Sequence, residues 1–228
     1  VSASYIILFS IYGSFLSQFG AGDFFFKLAK RITQNMHAAS AKTAVIFSTL
    51  LGMISGSAAG NVAVTGTLTI PMMKKEGYKS YQAGAIEAVV STGGQIMPPV
   101  MGAAAFIMAE IIGKPYTDIM KAGLIPALLF FISTFFVVHF QAKKNGLKPK
   151  KYEDDGESTS KVLLNGLQFI VLFCSLIAMM LYGYSPFKAS FFSIIILLLL
   201  NVLWNRKFTI NFFQNSYKAI VEGTKNIV

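Results

Sequence analysis

The chain has a single cysteine, Cys174, and it lies in an apolar run. An internal disulfide is excluded, and a thiol in such a run reads as a small hydrophobe. Histidine is nearly as scarce, with only His37 and His139. A serine nucleophile needs a base within reach. Both histidines fall at the inner edge of apolar segments, away from the serines read below as lying at mid-membrane. No cluster with metal-ligand spacing and no phosphate-cradling loop occurs. An intramembrane hydrolase is the weakest reading, and the chain is read as a non-enzyme. Acids are few, 10 against 20 Lys and Arg, for a formal charge of +10. Period-two alternation is missing from the apolar runs, which excludes barrel strands. No signal peptide is recognisable.

What is present is hydrocarbon. The sequence is 54% hydrophobic and 14% aromatic, with a mean hydropathy of +0.58. Runs such as PALLFFISTFFVVHF and SFFSIIILLLLNVLW are almost uncharged. About 20 apolar residues cross a core of about 30 Å. The fold class is therefore all-α: a polytopic helical membrane protein surrounded by lipid. The positive charge fits that class. Lysines and arginines lie in short connections between apolar runs, where the positive-inside rule puts them. That argues against nucleic acid as a partner.

Tyr5 to Phe19 reads as the end of a span, closed by Gly20-Ala21-Gly22-Asp23. Phe24 to Ile32 mixes aromatics with Lys27, Lys30 and Arg31, a pattern for a helix lying in the interface. Ala44 to Ser55 and Val62 to Met73 are half-length apolar segments, each too short to cross alone. SGSAAGN separates them, and basic clusters flank the pair on both sides. Both clusters stay cytoplasmic only if the pair enters and returns as a re-entrant helical hairpin with its tip at mid-membrane.

Tyr81 to Ser91 rises as a half-helix bearing Glu87. TGGQIMPP breaks it, and Val100 to Ile112 completes a discontinuous transmembrane helix. Leu124 to Phe140 returns. Gln141 to Lys161 reads as a solvated cytoplasmic loop. Val162 to Tyr182 and Ala189 to Trp204 are further spans. This topology puts every Lys and Arg on the inner side except Lys114, Lys121 and Lys188. Thr209 to Ile220 again mixes aromatics with lysine, as Phe24 to Ile32 does, and reads as the start of a second repeat. The domain reading is thus 1–140 as a first half-repeat, with the hairpin at about 44–73 and the broken helix at about 81–112. Residues 141–161 form the loop, and 162–228 carry two spans and the opening of a truncated second repeat. Val1 without an initiator Met and the abrupt EGTKNIV end predict a piece of something longer.

Two interruptions carry the polar chemistry. Backbone that leaves the helix inside hydrocarbon costs several kcal/mol, about that much per bare group, unless it is buried in protein or lines a wet cavity. Ser55, Gly56, Ser57 and Asn61 make the first break. There the carbonyl end of one helix and the amide end of the next point at one spot, suiting a cation and an anion respectively. The alternative is close packing of small residues between helices. Ser91, Thr92, Gly93, Gly94, Gln95, Met97, Pro98 and Pro99 belong to the second. The prolines lack amide hydrogens, so carbonyls a turn earlier lose their donors. Bare oxygens are expected around Gly93 to Met97, a donor set suited to Na⁺; a plain proline kink is the alternative. Glu87 and Glu110 are the acids within apolar runs. Glu110 lies near the outer end, and Glu87 could pair with a lysine, carry a proton or support the site.

These residues resemble a known family. GMISGSAAGNVAVTGTLTIPMMKKEGY, AGAIEAVVSTGGQIMPPVMGAAAFIMAE, the following GKPY and the flanking YGSFLSQFGAGDFF look like the large permease subunit of tripartite ATP-independent periplasmic (TRAP) transporters. The likeness is closest to fused permeases that work with TAXI-type binding proteins. It is specific over most of Val1 to Phe140 and general in layout beyond. The resemblance implies a Na⁺-driven secondary transporter of the inner (cytoplasmic) membrane, of bacteria or archaea, working as an elevator. It implies organic acids or related small solutes as cargo, a periplasmic solute-binding protein, and a small membrane subunit, separate or fused. It implies no cofactor beyond Na⁺ as coupling ion, held by backbone oxygens near Ser57, Gly94 and Met97. It also implies a second, inverted hairpin that this stretch does not contain, so that the piece alone should not transport. A non-transporting membrane scaffold is the competing class.

Overall fold

The computed structural model describes residues 2–147, 159–205 and 210–225. Those residues are helices joined by short turns, with no strand among them. The chain is an all-α, polytopic membrane protein. Three helices are long and apolar enough to cross a bilayer: Tyr116–Lys144, Ser160–Leu181 and Pro186–Leu203. Much of their surface faces outward. Ile125, Leu129, Val137 and Phe140 are all exposed, as expected where lipid rather than water is the neighbour.

The first helix, α1 (Ser2–Gln18), turns through 68° into α2 (Ala21–Thr33). Gly20 makes the corner with φ 94°, a value that favours glycine. On α2, Phe24, Phe25 and Ala29 are buried while Lys27 is exposed. The expected interface helix is thus a bent continuation of a span, with its aromatics turned inward. Phe24 stacks on Phe169 at 5.8 Å, and Phe26 meets Phe47 edge-on at 5.4 Å.

The hairpin arms are α3 (Ala39–Ser55) and α4 (Ala58–Glu76). At 17 and 19 residues they are longer than the apolar stretches alone. The extra turns are basal and polar: Ser40, Lys42 and Thr43 on α3, Lys74 to Glu76 on α4. Apolar periodicity could not show these turns, because their stability comes from a contact across the pair. The Glu76 carboxylate accepts from Ala39 N–H (3.1 Å), from Ser40 N–H (2.9 Å) and from the Ser40 hydroxyl. An anion is thereby fixed on the free amides that open α3.

The broken element comprises α5 (Ser80–Gly93), a 3₁₀ turn (Gly94–Ile96), an extended passage through Met97 to Gly102, and α6 (Ala103–Ile112). Then come α7 (Tyr116–Lys144), α8 (Thr159–Leu181), α9 (Pro186–Asn205) and α10 (Ile210–Lys225). Most of the loop read at 141–161 lies outside the described residues, as do Arg206, Lys207 and Thr209. Helix α10 packs on α1, with Phe19 5.9 Å from Phe212 and the Ser10 hydroxyl donating to Gly223 O at 2.8 Å.

Two apolar clusters hold the helices. One joins α1, α2, α6, α8 and α9 around Tyr12, Leu16, Phe47, Leu172 and Leu197. The other joins the hairpin base to α5 and α7 through Val45, Met73, Val90, Phe131 and Val138. Helix α3 contributes to both. The two histidines meet at the inner edge of the second cluster, rings 5.5 Å apart.

Candidate functional site

Helix α3 stops because Gly56 takes the left-handed conformation, φ 59°. Ser57 then runs extended and caps α4, its hydroxyl accepting from Gly60 N–H at 3.2 Å. Such a cap stabilises a helix start by about 1 kcal/mol. The Ser55 hydroxyl reaches Ser57 O at 3.5 Å, at the outer limit of a hydrogen bond. The tip therefore opposes the carbonyl end of α3 to the amide end of α4.

The tip lies directly on the broken element. A Cβ built on Gly56 would fall 2.3 Å from Met101 O, and one on Gly52 would fall 2.4 Å from Gly94 Cα. Only hydrogen side chains permit this backbone-on-backbone contact. Met101 itself has φ 57°, uncommon for a large residue and a form of strain found at functional sites. Gly102 N–H donates to Gln95 O at 2.7 Å, and Met97 N–H donates to Gly94 O at 3.2 Å. Each of these carbonyls keeps a second lone pair. The Pro98–Pro99 peptide is cis. Tyr116, buried on α7, shares its hydroxyl proton between Pro99 O (3.0 Å) and Val100 O (2.5 Å).

Asn61, in the first turn of α4, is fully buried. Its Nδ2 donates to Ser48 O at 3.0 Å. That carbonyl fixes which end of the amide is nitrogen, since the oxygen would be repelled there. Asn61 Oδ1 is left buried and accepts no hydrogen bond from the protein. A Cβ on Gly94 would lie 3.2 Å from the same amide group. A bare buried acceptor costs about 1–3 kcal/mol, which a cation or a donor from a ligand would offset.

The structure thus brings Gly56, Asn61, Gly94 and the backbone of Gln95 into one neighbourhood. Ser57 is exposed beside it, and Met97 and Pro98 are half-buried in the extended passage. Thr92 and Gly93 point elsewhere. Thr92 is exposed, its hydroxyl bound to Ala88 O at 2.7 Å in its own helix. Gly93 faces α7, where a Cβ would meet the Phe130 ring at 2.1 Å. A separate cavity of about 540 Å³ opens between the α6–α7 and α8–α9 turns, lined by Tyr5, Phe106, Glu110, Lys114, Tyr116 and Tyr184 among others. It includes none of the residues read from the two breaks.

Three polar residues that gather around Glu87, namely Ser48, Thr65 and Thr69, were not read from the sequence. Glu87 is fully buried and accepts from Ser48 (3.1 Å), Ser91 (2.9 Å), Thr65 and Thr69. Of the three roles left open for it, the contacts do not show a lysine pair: its partners are hydroxyls. A signal was available: Asn61, Thr65 and Thr69 recur every fourth residue along α4, a polar stripe on an apolar helix.

Comparison with known proteins follows this geometry. A family model described as tripartite ATP-independent periplasmic transporter, DctM component, matches residues 1–227. An uncharacterized protein, y4mL, of Sinorhizobium fredii is 24% identical over 184 residues, 80% of this chain and 43% of that one. The isethionate TRAP transporter permease protein DctMQ of Oleidesulfovibrio alaskensis is 35% identical over 100 residues, 42% of this chain and 15% of its own length. The C4-dicarboxylate TRAP transporter large permease protein DctM of Pseudomonas aeruginosa is 26% identical over 171 residues, 73% of this chain and 39% of its own. The chain spans less than half the length of these relatives.

Proposed function

The chain belongs to the tripartite ATP-independent periplasmic transporter family, DctM component, a family of transporter parts rather than enzymes, and on that premise we propose that it forms part of the permease of a secondary transporter in the inner membrane. The observation that carries the reading is Asn61 Oδ1, buried and without a hydrogen bond from the protein, on a side chain whose amide packs against Gly94 of the broken element.

Sodium is the coupling ion in this reading. Asn61 Oδ1 supplies one neutral oxygen, and backbone oxygens near Ser57, Gly94 and Met97 supply others. Neutral oxygens from interrupted helices suit a hard monovalent cation. The cargo is a small organic anion, received beside the α4 amide end, where the helix dipole favours negative charge. Two matched relatives are named for isethionate and for C4-dicarboxylate, both small anions. A periplasmic solute-binding protein and a small membrane subunit complete the system; the DctMQ name of one relative supports a fused arrangement. The TAXI-type pairing belongs to this proposal as well. An elevator movement finds support in the two apolar clusters, which give the hairpin base and α5 a packing unit distinct from that of α1, α8 and α9.

The test is uptake into proteoliposomes by the full-length permease with its binding protein and small subunit. Asn61→Ala, Ser57→Ala and Gln95→Ala should each weaken the sodium dependence of uptake, Asn61→Ala the most. Unchanged sodium dependence in all three variants would remove the assignment. A non-transporting scaffold would give no dependence on ion or solute even in the wild type.

A further inference from the structure

Glu87 sits midway along α5, and it gathers hydroxyls from both hairpin arms and from its own helix. Ser48 comes from α3, Thr65 and Thr69 from α4, and Ser91 from α5. All five residues are buried. Two of the partners also contact Asn61, one at its side-chain amide and one at its backbone carbonyl. Ser48 O takes the Asn61 Nδ2 donor at 3.0 Å, and the Thr65 hydroxyl lies 2.8 Å from Asn61 O. Ser48 and Thr65 touch each other at 3.3 Å.

We propose that Glu87 is a positioning residue for the site at the hairpin tip: it fixes Ser48, whose backbone carbonyl takes the Asn61 Nδ2 donor, and so sets the Asn61 amide with Oδ1 left without a protein partner. The inference rests on the reading of Asn61 as a cation ligand. Its physical basis is the acceptor count. A carboxylate offers about four lone-pair sites, so one side chain satisfies every hydroxyl drawn to it and ties α3, α4 and α5 at a single height. All five side chains are buried, so a lost bond leaves a buried polar group short of a partner.

The chemistry predicts which substitutions are tolerated. In Glu87→Gln the amide oxygen keeps the Ser48, Thr65 and Ser91 donors. Its NH₂ can donate to Thr69, whose own proton turns to Thr65 O at 2.9 Å. In Glu87→Leu the carboxylate that joins the three helices is gone: the Thr65 and Thr69 hydroxyls fall back on carbonyls of their own helix, and Ser48 and Ser91 lose their tie to Glu87. Sodium half-saturation of uptake is measured on the full-length transporter in proteoliposomes, separately from the maximal rate. Glu87→Leu should raise half-saturation by about tenfold, the scale of one lost buried hydrogen bond. Glu87→Gln should restore most of that loss.

Combined with Asn61→Ala, Glu87→Leu should add little further, because both act through one amide. Additive effects, or an unchanged half-saturation in Glu87→Leu, would overturn the proposal. Should Glu87→Leu fail to fold, Glu87→Asp carries the same test. One methylene shorter, it cannot reach both arms, and an unchanged half-saturation there is equally fatal. If Asn61→Ala itself leaves sodium dependence intact, the site reading fails instead, so the two failures are told apart.

Discussion

Gly52 and Gly94 lie back to back, so close that a Cβ on the first would sit 2.4 Å from the Cα of the second and one on the second would sit 2.8 Å from the Cα of the first. At this point the hairpin and the broken helix therefore meet backbone to backbone, with no side chain between them. Gly52→Ala and Gly94→Ala each place a methyl against rigid main chain. Overpacking of this kind costs about 1–3 kcal/mol. Both variants should melt lower and lose uptake. Gly84→Ala on the same α5, with nothing within 4 Å of the new carbon, should be neutral or slightly stabilising, by up to about 1 kcal/mol for helix propensity. Equal effects at Gly84 and Gly94 would rule out the close approach.

Tyr116→Phe removes the hydroxyl that ties Pro99 O and Val100 O to α7. The loss should be about 1 kcal/mol in stability. It should also loosen the passage between the 3₁₀ turn and α6. Hydrogen–deuterium exchange of the Met101 and Gly102 amides should quicken while exchange in α8 stays unchanged. Unaltered exchange at Gly102 would show that Tyr116 does not hold the passage.

Glu76→Ala uncaps the base of the hairpin, leaving the Ala39 and Ser40 amides without their carboxylate. A lost helix N-terminal acceptor costs about 0.5–2 kcal/mol. Melting temperature should fall, yet sodium half-saturation should stay near the wild-type value, because Glu76 lies at the opposite end of the arms from the tip. A tenfold change in half-saturation with Glu76→Ala would mean that the base and tip are coupled. Set beside Glu87→Leu, this variant separates holding the hairpin shut from placing Asn61.

Gly166→Ala tests the seat of α2. A Cβ at Gly166 would fall 1.8 Å from the Phe24 ring, which already stacks on Phe169. The ring must move or α2 must lift from α8. Destabilisation of about 1–3 kcal/mol is expected. Phe24→Leu in the same chain should relieve part of it. Additive losses in the double variant would show that the two residues are not in contact.

Both interruptions were legible because they violate the rule for apolar segments. Serines and asparagine at a hairpin tip, and a glycine pair followed by a proline pair, cannot continue a helix, and the breaks fall at Gly56-Ser57 and at Gly94 to Gly102. The ends of the arms were not legible. Residues 39–43 and 74–76 mix polar and small residues, and Glu76 closes on the start of α3 across the pair. The direction of Gly93, toward Phe130 rather than the hairpin, could not be read either. Adjacent glycines look alike in a sequence, and helical rotation alone sends them to different neighbours.

Residue order alone determined that this chain is a bundle of membrane helices with two broken places, because apolar run length and helix-breaking chemistry are local properties of the polypeptide. Which broken places touch, and what lies between them, was decided only by tertiary packing. Ser48, Thr65, Thr69, Glu87 and Ser91 are scattered over three helices, and they become one hydrogen-bonded set because packing buries all five and each polar group must find its partner among the others.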